Sequence, residues 1–443
     1  MRWLIISQDF SWVSGAYRLQ NFERQEVRAF SRKDEGKGHL KGVIEQVSSI
    51  REGLDWVGKN GYVICDGEED VSLLRRAGYR VYGNNRFLER MENDRLFELG
   101  VAKSAGINVP NYHPIKSLDE GIRFVKANPD AYVIKQTGLA PKELNYVGKE
   151  DDGSDVIRQL EWMKTRDFGA VEFILQELCE GIEFAVGAWW QYDDWFKDSE
   201  GNILIELNRE HKKMLNGDRG ISCGEMGTVM RFSLTDRKLF EETLARLTPI
   251  LREKCSDVCV DIDANCVVTE ENGLVTPYLL ETTPREGYPA CTLQQYLLNT
   301  GLSEFMSSLI DNDYGDFNVK KGWGVVTNLG CGTYPHDFGK KENPNTYRGQ
   351  PVIMDPTDHL LPCDLTYDHE SGIWKVSDDY GWVATACYHG DIFEANRKCV
   401  EAMQSVQVRN PVYRTDIGEK FRTEELPKLE AWGYVEPAPQ GEA

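Results

Sequence analysis

The sequence predicts two fold classes in one chain, a parallel α/β part at the N-terminus followed by α+β parts. Short apolar strands at 2–6, 61–66 and 79–83 bracket a segment of helical spacing at 67–78, which is typical of βαβ units around a parallel sheet. Farther along, apolar strands lie at 131–136 and on both sides of an acid-rich turn within 169–190, which favours an α+β arrangement there.

Three domains follow from the order of these elements, a number that a chain of 443 residues allows. The central domain is expected to begin with an amphipathic helix within 93–112 and to contain a second helix at 236–255. A strand at "GWGVVTNLG" and a helix at 391–406 belong to the last domain. The predicted ranges are 1–89 for the N-terminal α/β domain, 90–315 for the central domain, 316–436 for the C-terminal mixed domain and 437–443 for a disordered tail.

The composition excludes one class of function and indicates a cellular compartment. The formal net charge is −21, so we expect no nucleic-acid binding through bulk charge, because neutralising phosphates requires clustered Lys and Arg. The longest apolar run at the N-terminus has five residues and no segment approaches a membrane span, so neither a signal peptide nor a membrane is expected. Eleven cysteines, an odd number at no standard zinc spacing, indicate free thiols in a reduced cytoplasm.

Lys135 is unusual because it interrupts an apolar strand and is followed by "TGLAPKELNYVG". A charged group in such a strand needs either a buried partner or a bound anion, and the sequence leaves both open. The following loop has the small residues of a flap that covers phosphates. Neither G-x-x-x-x-G-K-[ST] nor G-x-G-x-x-G occurs in the chain, so the two common nucleotide signatures do not apply.

Two further segments suit a nucleotide and an anionic substrate. "ELCEGIE" places Glu177 and Glu183 on either side of a short turn, which fits either a solvated hairpin or a hinge that offers its backbone to adenine and a carboxylate to ribose. The loop "HKKMLNGDRGISCGEMG", residues 211–227, concentrates positive charge and glycines in an acidic protein. Basic groups and exposed amides on a flexible loop favour an anionic substrate.

Acidic residues at the ends of two predicted strands suggest a metal site. Asp261 and Asp263 lie on one strand and Glu281 on the next, and a set of oxygen ligands suits magnesium at a nucleotide phosphate. The stretch "LLETTPREGYP", residues 279–289, adds Arg285 four positions after Glu281. On its own this pair fits either a salt bridge at a strand end or a metal ligand beside a phosphate ligand.

The order of these segments resembles the ATP-grasp superfamily and, within it, the phosphoribosylamine–glycine ligase family. The loop H-K-x…D-G-D-x-G-P-N-T-G-G-M-G of that family resembles residues 211–227, and its E-F-N-C-R-F-G-D-P resembles residues 281–289. Its hinge E-x-L-x-G-x-E, its K-A-D-G-L-A, its G-G-Y-P and its R-K-D-I-G resemble "ELCEGIE", "KQTGLA", "GTYP" and "RTDIG" (414–418). The resemblance covers about residues 61–420 and implies an ATP-grasp fold, with a pre-ATP-grasp α/β domain at the N-terminus and a flap subdomain at about 112–186.

The resemblance also implies an activity and a role for individual residues. ATP with Mg²⁺ or Mn²⁺ would convert a carboxylate into an acyl phosphate, which an amine then attacks with release of phosphate. The implied roles are ATP binding for Arg95, Lys135, Lys142, Glu177, Leu178, Cys179 and Glu183; metal binding for Glu281, Thr283 and Asp263; catalysis for Arg285, Lys212 and Asp218; and substrate binding for His211, Lys213, Arg219, Gly224 and Tyr288.

Several departures from the family pattern concern the substrates more than ATP. The N-terminal G-N-G-G-R-E-H loop is replaced by "SQDFSWVSGAYRLQ", Thr283 stands where the family has a metal-binding Asn, and Tyr288 stands where it has Asp. We therefore expect a C–N ligase for small molecules, either the phosphoribosylamine–glycine ligase itself or a relative that joins another amino acid to an amine. The alternative is a degenerate ATP-grasp protein that binds a nucleotide or partner without ligation. A monomer or small homo-oligomer is expected.

Overall fold

The N-terminal part folds around a parallel sheet, as the alternation of strands and helices predicts. The structure, a computed structural model, describes residues 1–66, 71–137, 145–166, 172–313, 318–332, 334, 347–378 and 380–437. The strand order is β3-β2-β1-β4-β5 with every pair parallel. The elements are β1 Arg2–Ser7, α1 Val13–Tyr17, β2 Glu26–Ser31, β3 Glu45–Gln46, α2 Ile50–Val57, β4 Tyr62–Asp66, α3 Val71–Arg76 and β5 Arg80–Tyr82.

Both faces of this sheet are buried, which explains why β1 is apolar without interruption. Leu4 and Ile6 pack into a small core on one face, while Trp3 and Ile5 join the main core on the other. Hydrophobic burial at about 25 cal/mol per Å² makes such a strand a strong local determinant of the fold. The predicted strands at 2–6, 61–66 and 79–83 are confirmed, whereas β2 was not predicted.

A four-stranded antiparallel sheet with its own core carries Lys135. Its order is β6-β9-β7-β8, and α6 and α7 complete the packing. The helix predicted within 93–112 is confirmed as α5; Asp94 caps it and Gly106 follows it at φ +75°. The elements are α4 Arg86–Asn93, α5 Arg95–Ser104, β6 Tyr112–Ile115, α6 Leu118–Ala127, β7 Tyr132–Gln136, β8 Tyr146–Val147, α7 Ser154–Lys164 and β9 Phe173–Glu177.

A large antiparallel sheet forms the centre of the molecule. Its path is β17-β16-β10-β12-β15-β18-β23-β20, with β11 beside β10 and β24 beside β18. The elements up to the C-terminal part are β10 Ile182–Gln191, β11 Asp194–Trp195, β12 Ile205–Glu210, β13 Lys213–Leu215, β14 Arg219–Ser222, β15 Gly227–Ser233, α8 Lys238–Glu242, α9 Leu244–Lys254, β16 Cys259–Glu271, β17 Leu274–Thr283, α10 Ala290–Leu297 and α11 Leu302–Asp311.

The single helix predicted at 236–255 is wrong in one respect, because the chain forms two helices there. Thr243 leaves the helical conformation, at φ −131° and ψ −92°, and its hydroxyl donates to the Leu239 carbonyl oxygen at 2.5 Å. A side chain that bonds to the backbone four residues earlier competes with the helix, which explains the break. Helical spacing continues across the break, so the pattern of apolar residues could not reveal it.

The C-terminal part extends the large sheet and covers it with a helix. The predicted helix at 391–406 is confirmed as α12, which the Asp391 side chain caps. The sheet is continuous across position 316, since β15 pairs with β18, and the predicted domain boundaries stay a prediction. The elements are β18 Trp323–Cys331, β19 Pro351–Val352, β20 Leu360–Pro362, β21 Leu365–Asp368, β22 Ile373–Val376, β23 Trp382–Gly390, α12 Ile392–Ser405, β24 Pro411–Val412 and α13 Leu426–Ala431.

Two sequence expectations concern thiols and membranes. All eleven cysteines are free, nine of them buried, which confirms the expectation of free thiols. Among the described residues, every helix is too short or too polar to cross a bilayer. Residues 438–443 of the predicted tail lie outside the described residues.

A buried histidine joins the N-terminal part to the C-terminal part. His39 Nε2 lies 2.8 Å from Asp378 Oδ2, and His39 Nδ1 lies 3.3 Å from Asp364 Oδ1. Burial alone would lower the pKa of His39, but the two aspartates raise it to about 9. The imidazolium therefore crosslinks two regions that are distant in sequence.

We predict that this crosslink makes stability depend on pH. A histidine whose pKa rises from 6.5 to about 9 on folding stabilises the folded chain fully below pH 6.5, and the stabilisation is lost as the pH rises through about 9. The free energy of unfolding of the wild type should exceed that of His39→Asn by up to about 3 kcal/mol at pH 6. Chemical denaturation at several pH values measures this difference.

The control is His369→Asn, which removes an exposed histidine elsewhere in the C-terminal part. The gap between wild type and His39→Asn should shrink between pH 6.5 and about 9, whereas the gap for the control should stay small. A gap for His39→Asn that stays constant over this range would show that the imidazolium charge does not stabilise the fold.

Candidate active site

The centre of the candidate site is the carboxylate of Glu281, which lies among three cations. Glu281 Oε2 is 3.2 Å from Arg95 Nη2, and Glu281 Oε1 is 3.0 Å from Lys212 Nζ. Lys135 adds its charge nearby, with Nζ 3.4 Å from the Leu280 carbonyl oxygen. The charge of Lys212 lowers the pKa of Glu281 most; burial raises it, and the charge of Arg95 lowers it again. The net effect holds the pKa of Glu281 well below its usual range. Four predicted site residues from four separate segments therefore meet here.

A β-bulge at Leu280 brings these cations together. A turn at Asn272–Gly273, where both residues have positive φ, joins β16 to β17. From this turn the strands pair regularly, from Glu271 opposite Leu274 to Cys266 opposite Leu279. The next pair is Asn265 with Glu281, so Leu280 is the extra residue. Its carbonyl oxygen accepts from Arg95 Nη1 at 2.9 Å as well as from Lys135. The bulge thus supplies a backbone acceptor for both cations.

Glu98 fixes the orientation of Arg95. Arg95 opens α5, and Glu98, three positions later on the same helix, accepts from Arg95 Nη1 at 2.8 Å. The other oxygen of Glu98 accepts from the backbone N–H of Thr282. Glu98 is a supporting residue that the sequence analysis missed, although its i,i+3 spacing from Arg95 could have identified it.

The surroundings of Lys135 lower its pKa. Burial first, and then the nearby Arg95, lower the pKa of Lys135 to about 8. Two partly buried cations so close together are costly unless an anion lies between them. Glu281 supplies one negative charge, and a polyphosphate would supply several. The arrangement is thus electrostatically suited to an anion that carries more charge than one carboxylate.

The oxygens beside this cluster fit a divalent cation. Asp263 lies opposite Thr283 in the pairing of β16 with β17, two pairs beyond Glu281, which confirms that the acidic strands are neighbours. Asp263 is buried, and its Oδ1 has no hydrogen-bond partner among the described residues. Burial, then the charges of Glu206 and Glu210, raise the pKa of Asp263 well above its usual range. A cation bound nearby would therefore stabilise the ionised carboxylate of Asp263. Asp263, Glu281 and Thr283 provide the oxygen-only ligand set that Mg²⁺ or Mn²⁺ binds.

A buried acidic cluster extends behind Asp263 and was not predicted, apart from Asp261. Asn208 Nδ2 bridges Glu206 Oε1 at 2.9 Å and Asp263 Oδ2 at 2.7 Å. Gln294 Nε2 donates to Asp261 Oδ2 at 2.8 Å and also contacts Glu206. Burial raises the pKa of Glu206 to about 8. These acids alternate with core residues along strands, so a pattern of apolar positions could not reveal that they converge.

The predicted hinge follows β9 and leads into β10. The Leu178 N–H donates to the Ala131 carbonyl oxygen at 3.0 Å, which ties the hinge to the segment that precedes β7 and Lys135. Glu177 Oε2 accepts from Asn111 Nδ2 at 2.8 Å. Glu183 is exposed at the start of β10, and its charge helps to raise the pKa of Lys212. Glu183 therefore lies within electrostatic reach of the cation cluster around Glu281.

The predicted substrate loop is held by a buried arginine from the C-terminal part. Arg414 is 1% exposed and donates to both oxygens of Asp416 at 2.8 Å. Arg414 Nη1 also donates to Asp218 Oδ1 at 2.8 Å and to the Lys213 carbonyl oxygen at 3.1 Å. The Gly217 N–H donates to Asp416 at 2.7 Å. Asp218, predicted to be catalytic, thus lies in the ion pair that fixes this loop.

His211 is buried under the same loop. Its Nε2 accepts from the Gly418 N–H at 3.2 Å, and burial, then Arg209 and Arg414, lower its pKa to about 3. The imidazole is therefore neutral and contacts the backbone. Arg219 and Gly224 are exposed on the loop, where Gly224 has φ +80°, a conformation that favours glycine.

Arg285 and Glu281 do not pair with each other, despite their spacing. Arg285 Nε and Nη2 each lie 2.9 Å from Glu92 Oε1, and Nη1 donates to the Glu286 carbonyl oxygen at 3.1 Å. The Tyr288 hydroxyl donates to Asp66, at the end of β4. Tyr288 therefore contacts the edge of the N-terminal sheet, whereas Arg285 pairs with α4 instead of Glu281. Lys142, predicted to bind ATP, lies outside the described residues.

Comparisons with known proteins agree with this geometry. Residues 93–291 match the family model of the phosphoribosylglycinamide synthetase ATP-grasp (A) domain. A phosphoribosylamine–glycine ligase of Helicobacter pylori is 23% identical over 425 residues, which are 91% of this chain and 93% of the relative. One of Clostridium acetobutylicum is 21% identical and covers 79% of this chain and 81% of its own length.

Solved structures show the same fold. The crystal structure of phosphoribosylamine–glycine ligase from Thermotoga maritima superposes with a TM-score of 0.72 at 18% identity, over 94% of this chain and 100% of that chain. N5-carboxyaminoimidazole ribonucleotide synthetase from the same organism gives a TM-score of 0.54 at 15% identity, over 92% and 99% of the two chains. Residues 93–291 thus match an ATP-grasp domain, and the chain as a whole resembles the phosphoribosylamine–glycine ligases.

Proposed function

We propose that this protein is an ATP-dependent ligase that joins a carboxylate to an amine through an acyl phosphate and releases ADP and phosphate. The observation that carries this proposal is the convergence of Arg95, Lys135 and Lys212 on Glu281, next to the unpaired oxygen of Asp263. Such a site complements a nucleotide triphosphate and its divalent cation together.

The reaction has two steps that the site residues support by position and charge. A carboxylate oxygen attacks the γ-phosphorus of ATP, and the bond from that phosphorus to the bridging oxygen breaks to release ADP. Arg95, Lys135 and Lys212 stabilise the charge that spreads over the phosphate oxygens. Mg²⁺ or Mn²⁺, held by Asp263, Glu281 and Thr283, would neutralise phosphate charge and orient the triphosphate.

In the second step the amine nitrogen attacks the acyl carbon. The carbon–oxygen bond to phosphate breaks, and the proton that nitrogen releases passes to the departing phosphate. The segment fixed by Arg414 and Asp218 lies beside Lys212 and positions the reacting groups. We infer that Arg285 and Tyr288, which lie outside the cation cluster around Glu281, face the substrates rather than ATP.

The two substrates are either glycine and phosphoribosylamine, as in the names of the relatives, or another amino acid and an amine. The free thiols favour a reaction in the reducing cytoplasm. The alternative of nucleotide binding without ligation gains no support from the described residues, because the cations and the acidic oxygens of the site are all present. The state of oligomerisation stays a prediction.

The direct test incubates the purified protein with Mg-ATP and pairs of carboxylates and amines, including glycine with phosphoribosylamine. ADP and phosphate should accumulate only when both cosubstrates of a productive pair are present. Tight ATP binding without turnover for any pair would favour the degenerate ATP-grasp alternative instead.

We predict that Glu281→Gln lowers kcat by about 100-fold or more, since it removes a metal ligand and the counter-charge of two cations. Phosphate release under saturating ATP measures this effect. Glu270→Gln is the matched control, because Glu270 is exposed toward the other end of the same strand pair. If Glu281→Gln kept wild-type kcat while requiring no more Mg²⁺, the metal role of Glu281 would be wrong.

A second prediction concerns affinity for ATP. Lys135→Met keeps the length of the side chain but removes its charge, so the Kd of ATP should rise about tenfold or more. Equilibrium binding measures this change, and Lys126→Met, on the exposed surface of α6, should leave the Kd unchanged. Equal affinities of wild type and Lys135→Met would contradict a phosphate contact.

A further inference from the structure

A second cavity, separate from the cation cluster around Glu281, lies where the N-terminal sheet, the loop 211–227 and the C-terminal part meet. Its volume is about 540 Å³. The loop contributes Gly224 and Glu225, and Tyr288 closes the side toward Arg285. Volumes of this size hold small molecules. The cavity is therefore large enough for one of the two substrates.

The buried polar groups of this cavity are mainly acidic. Glu225, Asp364 and Asp378 line it and are 5%, 4% and 2% exposed. Among the described residues, the buried cation that opposes them is His39, which already contacts both aspartates. The buried carboxyl groups of the cavity therefore outnumber its buried cation by three to one. Lys33 and Arg348 also line the cavity but are exposed at its mouth, where water and salt screen their charges.

Glu225 offers an unsatisfied acceptor in the wall of the cavity. Its Oε1 is buried without a hydrogen-bond partner among the described residues. Burial first, then Glu210, raise the pKa of Glu225 well above its usual range, and the nearby Lys212 opposes this shift. Glu225 therefore lies within electrostatic reach of the residue that we assign to the triphosphate. A cationic group bound here would donate the missing hydrogen bond and offset the cost of burying the Glu225 carboxylate.

Asp364, from the C-terminal part, provides a second acceptor in the wall of the cavity. Its side chain contacts His39 through Oδ1, the one side-chain contact that it makes among the described residues. Asp378, in contrast, also accepts backbone N–H groups from Tyr380 and Gly381 and so forms part of a turn. Asp364 is thus the aspartate that is available to a ligand.

Aromatic rings also line the cavity. Tyr334 and Tyr380 pack edge to face with centroids 5.9 Å apart, and Trp382 donates from its ring N–H to Asn328 at 3.0 Å. Aromatic faces attract cations and the apolar stems that carry them. A phosphate group at the buried floor would meet carboxylates and ring faces instead of free cations.

We propose that this cavity binds an amine substrate with two basic groups. The reacting amine binds at Glu225, whose carboxylate takes one proton from it before the attack, and a second ammonium or guanidinium group binds at Asp364. The inference rests on the proposed function, because it assigns the amine of the ligase reaction. It makes Glu225 and Asp364 determinants of specificity and disfavours a sugar phosphate as the acceptor.

The test measures binding of short linear diamines to the full chain without ATP, with the corresponding monoamines and ribose 5-phosphate as comparisons. At least one diamine should bind about tenfold or more tightly than the monoamine of the same length, since it adds a charge-assisted contact. Asp364→Asn and Glu225→Gln should each remove that advantage. Asp355→Asn, which changes an exposed aspartate outside the cavity, should preserve it.

Equal binding of diamines and monoamines, a diamine advantage that survives both substitutions, or tighter binding of ribose 5-phosphate would each overturn the inference. Because binding is measured without turnover, these results do not depend on the ligase reaction. Failure of ADP release with every pair of cosubstrates would instead overturn the proposed function. Circular dichroism of the variants shows whether a lost advantage reflects lost folding.

Discussion

The attraction between Glu281 and the cations around it organises the candidate site. Arg95 comes from the start of a helix, Lys135 from the four-stranded antiparallel sheet and Lys212 from the loop that Arg414 holds. Three partly buried cations would repel one another in this space. Glu281, Glu98 and Glu210 pair with Arg95 and Lys212, but among the described residues Lys135 has no carboxylate partner. The site therefore suits additional negative charge at Lys135, and a triphosphate would supply it.

The acidic side of the site has the opposite imbalance. Glu206, Asp261 and Asp263 lie close together in the core, and burial raises the pKa of each of them. Asn208 and Gln294 supply some of the missing donors, but one oxygen each of Asp261 and Asp263 has no partner among the described residues. A site with excess positive charge on one side and excess negative charge on the other is complementary to a nucleotide with its metal ion. Each excess is costly alone, which explains why the two lie together.

The sequence revealed the parts of this site whose residue types are unusual for their surroundings. Lys135 in an apolar strand and the glycine-rich basic loop could be identified from local pattern, and the Asn272–Gly273 turn sets the pairing of β16 with β17 as far as Cys266 opposite Leu279. The bulge at Leu280 could not be predicted, because one extra residue in a ladder leaves no mark in the pattern of apolar positions. The partner of Arg285 could not be predicted either. Glu92 comes from a different helix, and only the packing of that helix against β17 brings the two together.

The central claim is that the cation cluster transfers the γ-phosphoryl group of ATP to a carboxylate. The most direct measurement uses a carboxylate substrate labelled with ¹⁸O in both oxygens and follows the label by mass spectrometry of the released phosphate. An acyl phosphate predicts that each phosphate carries one labelled oxygen while ADP carries none. Release of AMP and pyrophosphate, or phosphate without the label, would contradict the account.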